Sequence, residues 1–338
     1  MKISFYDKSD HSEFIDFNAL AFPERGEFNK KLIDFRYFNP LNKGNHIRNA
    51  VVAYDDESGE LIGEALYHPA SYYFQNEWHK MEWGFDLFAR PDKRTESVGI
   101  YIMEFIKANK TGPTFATGVG KPALKMKKFY GYHVIGHLEK FYKIINPIFL
   151  ATGLLRAARI PTTKFPQKIK SGNHEFSKVT KEQLWDLEVA YNPDLLEFGR
   201  DRNFLNWRFY SAGFEYAVYK VSDSETNPLY FVVRTTKIKG ITTVMLVDYR
   251  FNTGNRENFE IILQAAAKVA SRLFLPIVIT SSSLRITDDL LQEQGYKKQG
   301  IPRPVVSNVK EYKSYKEQID NRNFVFLTFA DSDGEYLM

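Results

Sequence analysis

The chain has 338 residues, which exceeds the usual size of one domain, so two domains are expected. A hydrophobic fraction of 43% with 15% aromatic residues is enough for two cores and excludes the composition of a disordered chain. The sequence has no cysteine, which excludes disulfides and cysteine nucleophiles. No histidine and carboxylate cluster has metal-ligand spacing, so no metal is expected.

The net charge of +5 permits an anionic ligand such as a coenzyme phosphate. The cations are scattered among 41 acidic residues, so no nucleic acid partner is expected. The N-terminus lacks a secretory signal, and the longest apolar stretch, 145–160, is too short and too interrupted for a transmembrane segment. We therefore expect a cytoplasmic protein, whose oligomeric state the sequence leaves open.

An internal repeat organises the chain. In the first half the pattern predicts a strand at 82–88, a polar loop at 90–97, a helix at 98–109, a strand at 114–117, a helix at 122–129 and a strand from 133. The second half predicts the same order with a strand at 242–249, a polar loop at 252–257, a helix at 258–273, a strand at 276–280, a helix from 287 and a strand from 297.

Matched spacings support a duplication. Asp86 precedes Gly131 by 45 residues, and Asp248 precedes Gly295 by 47. Each of these glycines follows a predicted helix, where a left-handed residue closes the C-terminus. Between the halves, 147–170 is rich in proline and cations and predicts a helical crossover and an extended linker. A basic segment that rests on a membrane surface is the alternative for this stretch.

The loop before the first repeated helix predicts a phosphate site, because a helix N-terminus presents unpaired N–H groups and a favourable dipole. Its residues Arg94, Ser97 and Gly99 resemble the pyrophosphate loop of the GNAT acetyltransferases, Arg/Gln-x-x-Gly-x-Gly/Ala, with Ser97 in place of the middle glycine. Gly131-Tyr132 resembles the helix-Gly-Phe ending of the same family. The corresponding loop of the second half, 252–257, lacks the spacing.

The resemblance implies an α/β (α+β) fold of two tandem GNAT-like domains, each a twisted, mixed, mostly antiparallel sheet flanked by helices. The implied division is an acyl-CoA-binding domain at 1–145, a linker at 146–175 and an acceptor-side domain at 176–338 with a degenerate loop. Acetyl-CoA is the implied acyl donor. The implied cofactor-binding residues are Leu87, Phe88, Ala89, Arg94, Thr95, Glu96, Ser97, Val98 and Gly99, the first three through backbone amides that polarise the thioester.

Proton transfer from the attacking amine requires a base. Strand alternation places Glu82, Gly84 and Asp86 on one face, so Glu82 and Asp86 are the candidate bases, with Asp86 nearer the loop. A simple ion pair with a neighbouring cation is the alternative for each. Many family members have a tyrosine four residues before the helix-ending glycine, where it protonates the departing thiolate; this chain has Lys127 there.

Candidate acceptor-binding residues are His68, Trp207, Arg208 and Asp248, of which Asp248 matches Asp86 through the repeat. Trp207 and Arg208 equally fit an interdomain anchor. They belong to the segment 204–209, Phe-Leu-Asn-Trp-Arg-Phe, which looks like a motif of two-domain GNAT-type proteins often associated with cell-surface polysaccharide assembly.

The leading hypothesis is an N-acyltransferase that moves an acetyl group from CoA to a small-molecule primary amine, which the resemblance suggests is an amino sugar. A second hypothesis is a Fem-like aminoacyltransferase that uses aminoacyl-tRNA, although the long basic helical insertion common there is not visible. A third is a degenerate GNAT protein that binds a ligand without turnover, to which Ser97 and Lys127 point.

Overall fold

The computed structural model describes residues 1–6, 12–25, 28–37, 50–110, 112–184, 191–211, 213–221 and 229–331, without the side chains of Glu24, Phe28, Arg36, Tyr37 and Arg94. Within these residues no helix is long and apolar enough to cross a membrane.

The first half of the chain contains six strands and four helices in its described residues. They are β1 (Lys2–Phe5), α1 (Ser12–Ala21), α2 (Phe28–Tyr37), β2 (Ala50–Tyr54), β3 (Leu61–Phe74), β4 (Glu77–Ala89), α3 (Val98–Asn109), β5 (Thr114–Thr117), α4 (Lys121–Phe129) and β6 (His133–Ile144). The polar loop predicted at 90–97 is largely a 3₁₀ turn, Pro91–Glu96. The repeat's predicted order of elements is confirmed here.

The remaining elements begin with α5 (Leu150–Leu155), β7 (Lys168–Ser171), β8 (His174–Val179), β9 (Leu196–Phe198) and α6 (Arg202–Leu205), which continues into a π-helical turn at Asn206–Tyr210. They continue with β10 (Tyr216–Val221), β11 (Tyr230–Ile238), β12 (Ile241–Arg250), α7 (Arg256–Arg272), β13 (Ile277–Ser282), α8 (Arg285–Glu293), β14 (Lys297–Ser307), α9 (Lys316–Asp320) and β15 (Val325–Phe326). The stretch predicted as a linker, 146–175, thus includes β7 and the start of β8, which pair with each other in the sheet.

One mixed, mostly antiparallel sheet runs through the described residues in the order β1-β2-β3-β4-β5-β14-β6-β13-β12-β11-β10-β8-β7, with β9 and β15 to one side. The fold class predicted from the sequence is confirmed. The parallel pairs on the main path are β4 with β5 and β12 with β13, which are the crossovers over α3 and α7. The division at 1–145, 146–175 and 176–338 stays a prediction.

The two halves exchange their last strands. β14, from the end of the second repeat, pairs with β5 of the first, while β6, from the end of the first repeat, pairs with β13 of the second. β6 and β14 then pair with each other and close the sheet between the halves. Each half of the sheet is therefore completed by a strand from the other half.

The helix endings of the repeat have the same geometry in both copies. Gly131 and Gly295 have φ of 87° and 79°, in the left-handed region that favours glycine. After each, the backbone N–H of the following tyrosine donates to the helix, Tyr132 to Lys127 O at 3.0 Å and Tyr296 to Leu291 O at 2.8 Å. The predicted left-handed closure is confirmed.

Gly136 lies five residues beyond Gly131 in β6 and is required for a different reason. A Cβ built on it would lie 2.4 Å from Val325 Cγ1, so β15 approaches β6 too closely for a side chain. We expect Gly136→Ala to lower the free energy of unfolding by about 1–3 kcal/mol, measured by urea denaturation. Gly112→Ala is the matched control, because a Cβ there meets nothing within 4 Å. Equal stability of the two variants would contradict this prediction.

Candidate functional site

The strands β4 and β5 separate directly after they pair. They are in register at Glu82 with Thr114 and at Trp83 with Phe115. Beyond this point a bulge interrupts the pairing of β3 with β4 between Glu64 and Leu66. Asp86 lies in the bulge with φ of 51°. Strict alternation along β4 therefore ends there. The sequence predicts Asp86 on the same face as Glu82, but the bulge interrupts that face before Asp86.

A cavity of about 200 Å³, here called the β4–β5 cavity, opens where the strands separate. It extends from the bulge to α4. Its walls include Tyr67, Asp86, Leu87, Gly120, Ala123 and Lys127.

A larger cavity of about 440 Å³, here called the central cavity, lies between the hairpin β3–β4 and the segment that contains β9 and α6. Its walls include His68, Ser71, Phe204, Trp207, Arg208 and Asp331. Gly84, Phe85 and Thr117 line both cavities. The two cavities therefore meet where β4 bulges and β5 ends.

Asp86 is held by Arg25, which follows α1. The Arg25 guanidinium donates to both carboxylate oxygens of Asp86, at 2.6 and 2.5 Å, and both side chains are buried. Beside them Asn18 Nδ2 donates to Glu64 Oε1 at 2.6 Å. Burial and the nearby Asp86 raise the pKa of Glu64 well above its usual value, against the opposing effects of Asn18 and Arg25. The Arg25 guanidinium thus compensates the charge of Asp86 in the wall of the β4–β5 cavity.

Glu82, the other candidate base, accepts from Lys110 Nζ at 2.7 Å. It lies in the paired part of β4 and does not line the described part of either cavity. The structure therefore places Asp86, but not Glu82, in the wall of the β4–β5 cavity.

Lys127 is the one buried residue of α4, all of which is described. The buried position of an amphipathic helix ordinarily has an apolar side chain. Its Nζ lies 4.5 Å from the centre of the Tyr132 ring. Among the described residues, the Lys127 ammonium forms no hydrogen bond or ion pair with a carboxylate. Burial lowers the pKa of Lys127 to about 8. The β4–β5 cavity thus has a weakly acidic ammonium in its wall.

The predicted phosphate loop precedes α3, with Ser97 in a left-handed conformation, φ 61°, at the helix N-cap. Lys93 in this loop pairs with Asp55 at 2.7 Å, which fixes the loop to the β2–β3 turn. A Cβ on Gly99 would lie 3.5 Å from Met126 Sδ, so the α3 N-terminus adjoins α4. The side chain of Arg94 lies outside the described residues.

Within the predicted oxyanion segment, Leu87 lines the β4–β5 cavity. Phe88 instead turns its ring toward Phe17 and Phe22, at centroid distances of 5.8 and 5.9 Å. Ala89 packs beside the cluster of apolar side chains beneath α3. Thr95, Glu96, Val98 and Gly99 belong to the loop and helix start and are not among the residues that line the two cavities.

Three of the four predicted acceptor residues, His68, Trp207 and Arg208, line the central cavity. Trp207 Nε1 also donates to Phe35 O at 2.9 Å, and the two rings stack at 4.8 Å. Arg208 is buried, and its guanidinium donates to Ala330 O and to the Tyr216 hydroxyl. Both residues therefore connect separate parts of the chain as well as lining the cavity.

Asp248 lies away from both cavities, in a fully buried cluster. Arg200 Nε donates to it at 2.9 Å, and Arg200 Nη2 donates to Asp331 at 2.6 Å. Burial alone would raise the pKa of Asp248, but the guanidiniums of Arg200 and Arg250 together lower it below its usual value. The match between Asp86 and Asp248 is nevertheless structural, since each is a buried carboxylate held by arginine beside a strand bulge.

Asp331 is a residue of this site that sequence reasoning does not select. It lines the central cavity, and its Oδ1 is buried with no hydrogen-bond partner among the described residues, while Oδ2 accepts from Arg200. No motif surrounds it in the sequence. Only the folded chain brings it from near the C-terminus to the wall of this cavity.

No protein-family model matches the chain, and no curated protein matches it. Solved structures do match along most of its length. They include a GCN5-related N-acetyltransferase from Anabaena variabilis, with 11% identity, a TM-score of 0.59 and coverage of 90% of this chain and 72% of the other. A probable N-acyltransferase from Enterococcus faecalis has 14% identity, a TM-score of 0.58 and coverage of 93% and 74%.

The third comparison is Saccharomyces cerevisiae N-myristoyltransferase with bound myristoyl-CoA, with 11% identity, a TM-score of 0.59 and coverage of 90% and 82%. The chain has the tandem GNAT fold. At these identities the similarity establishes the architecture, and the tandem GNAT fold by itself does not assign an activity.

Proposed function

We propose that the protein is an acyl-CoA-dependent N-acyltransferase that binds the acyl thioester in the β4–β5 cavity and the amine acceptor in the central cavity. The observation that carries the proposal is the meeting of the two cavities at Gly84, Phe85 and Thr117. Donor and acceptor would approach this point from opposite sides, which is the positioning that direct acyl transfer needs.

For the donor, we retain the α3 N-terminus and its loop, Arg94 to Gly99, as the site of the CoA pyrophosphate. The contact of Gly99 with Met126 supports this, because it places the helix start next to α4, whose other residues line the cavity. The backbone of Leu87 to Ala89 would polarise the thioester carbonyl. We do not expect a second coenzyme to bind to each chain, since the loop at 252–257 lacks the pyrophosphate-loop pattern.

For the acceptor, we assign the amine-binding role to Asp331, whose buried Oδ1 is available to an ammonium group. Asp86 and Glu82 stay candidate bases, but each is held in an ion pair, with Arg25 and Lys110 respectively. His68, Trp207 and Phe204 supply the ring surfaces against which the body of the acceptor would pack.

After the amine attacks, the carbon–sulfur bond breaks and its electron pair goes to sulfur, so a proton donor near the thiolate favours the step. We propose Lys127 for this role, because it is buried in the wall of the β4–β5 cavity and pairs with no carboxylate among the described residues. Its ammonium would give a proton to the sulfur of CoA and recover one from solvent after product release.

We propose acetyl-CoA as the donor and an amino sugar of a cell-surface polysaccharide pathway as the acceptor. The buried pair of Arg25 and Asp86 in the wall of the β4–β5 cavity supports a short acyl chain, since this pair would have to lose its packing to admit a long one. The proposal of an amino sugar as the acceptor depends on the resemblance of the segment 204–209 to a motif of two-domain GNAT-type proteins.

Calorimetric titration of acetyl-CoA tests the proposal. We expect binding with one site per chain, and we expect Ala123→Phe to weaken it at least tenfold, because the ring would fill the β4–β5 cavity. Lys125→Phe is the matched control, on the exposed side of the same helix. Absence of acetyl-CoA binding by the folded wild-type protein would reject the proposal and favour the aminoacyl-tRNA or non-catalytic hypotheses.

A further inference from the structure

Exposed apolar side chains are concentrated on one surface, formed by the end of β6, the α5 region and the α7–β13 turn. We call it the α5 surface and define it by Ile144, Ile148, Leu154, Leu155 and Phe274. Ile148 and Leu155 are 82% and 88% exposed, and the other three are each more than half exposed. Isolated exposed apolar residues are ordinary, but several on one surface indicate an interaction site.

The backbone beneath this surface is firmly packed. A Cβ on Gly153 would lie 2.9 Å from Ile241 Cγ2, so α5 lies directly on β12. The Thr242 hydroxyl donates to Arg156 O at 3.0 Å, and the rings of Phe149 and Phe274 are 5.5 Å apart. Leu154 and Leu155 thus project outward from a fixed helix.

Cations predominate in the chain that carries α5. From Lys140 to His174 the sequence has no aspartate or glutamate, and it has seven lysine and arginine residues, of which Lys168 pairs with Glu175. Arg156 directly follows Leu155 and is exposed. Lys239, also exposed, lies in the β11–β12 turn two residues before Ile241. An apolar surface bordered by the exposed cations Arg156 and Lys239 favours a partner with an anionic outer layer over an apolar interior.

We propose that the α5 surface docks the protein on an anionic phospholipid membrane. Leu154, Leu155 and Ile148 would enter the boundary between headgroups and acyl chains, and Arg156 and Lys239 would contact lipid phosphates. The interaction is peripheral and independent of the acyltransferase assignment.

Sedimentation of the full chain with vesicles tests this inference. We expect binding to vesicles of phosphatidylcholine and phosphatidylglycerol, at least tenfold weaker binding to phosphatidylcholine alone, and weakening with added salt. The double variants Ile148→Ser with Leu155→Ser, and Arg156→Glu with Lys239→Glu, should each reduce binding at least tenfold. Phe129→Ser with Ile301→Ser is the matched control, because these side chains are equally exposed elsewhere.

Circular dichroism would confirm that the variants are folded. Absence of binding to anionic vesicles, or equal loss in the control, would overturn the proposal. Sedimentation velocity separates a second explanation: if Ile148→Ser with Leu155→Ser converts a dimer to a monomer without changing vesicle binding, the surface is a contact between copies of the chain and the proposal is wrong.

Discussion

Lys127→Met is expected to lower kcat for acyl transfer by about 10²- to 10⁴-fold, the usual contribution of a positioned proton donor. The substitution keeps the length and the apolar stem of the side chain but removes the ammonium of a residue that lines the β4–β5 cavity. Binding of acetyl-CoA should change much less than kcat, since the role is assigned to the departing thiolate rather than to the bound thioester.

The dependence of kcat on pH distinguishes proton donation from packing. Lys127 donates only when protonated, and its pKa is about 8, so the wild-type kcat should fall as the pH rises through 8. Lys127→Met should remove this limb of the profile. Many GNAT family members have a tyrosine at this position, so Lys127→Tyr should retain much of the wild-type rate. Lys128→Met, one residue along on the exposed side, is the matched control.

An unchanged kcat in Lys127→Met, with acetyl-CoA still bound, would show that Lys127 does not protonate the leaving group. Acylation of Lys127 itself, detected by mass spectrometry of the enzyme after turnover, would show a nucleophile instead. Loss of acetyl-CoA binding alone would assign the residue to coenzyme recognition.

Arg200→Met is expected to lower the free energy of unfolding at neutral pH by about 3–5 kcal/mol. Arg200 is fully buried and donates to two carboxylates, Asp248 and Asp331. Without it both would remain in the interior with much of their charge uncompensated. Arg256→Met is the matched control: its exposed pair with Glu293 should contribute less than about 0.5 kcal/mol.

The difference between wild type and Arg200→Met should narrow in acid. In the wild type the pKa of Asp248 is below its usual value, so its contribution is present at neutral pH and is lost as the pH falls. In the variant Asp248 would lack the Arg200 guanidinium that lowers its pKa, so burial would raise that pKa and protonation in acid would relieve the penalty. Urea denaturation at neutral and mildly acidic pH measures both effects, and a difference that does not depend on pH would contradict this account.

The elements of the repeat were predictable because their signals are local. Hydrophobic periodicity located α3 and β5 at their observed bounds, and Gly131 and Gly295 marked helix ends that only a left-handed residue closes. The bulge at Asp86 was not predictable, because it arises from the pairing of β3 with β4 and leaves no pattern in β4 alone.

The candidate site was partly predictable for the same reason. Asp86, His68 and Trp207 were selected and do line the cavities. Arg25, which compensates the charge of Asp86, and Asp331, which lines the central cavity, come from distant parts of the chain. Lys127 was recognised as an unusual residue, but its burial depends on how α4 packs, which the helix pattern alone does not determine.

The exchange of β6 and β14 links the history of the fold to its assembly. Two separate copies with this arrangement would form a domain-swapped homodimer, in which each copy completes the sheet of the other. The segment from β6 through α5 to β7 joins the two halves covalently. The association of two molecules is thereby replaced by an intramolecular one. Once the copies are joined, their sequences are free to diverge, so either half can change while the shared sheet is kept.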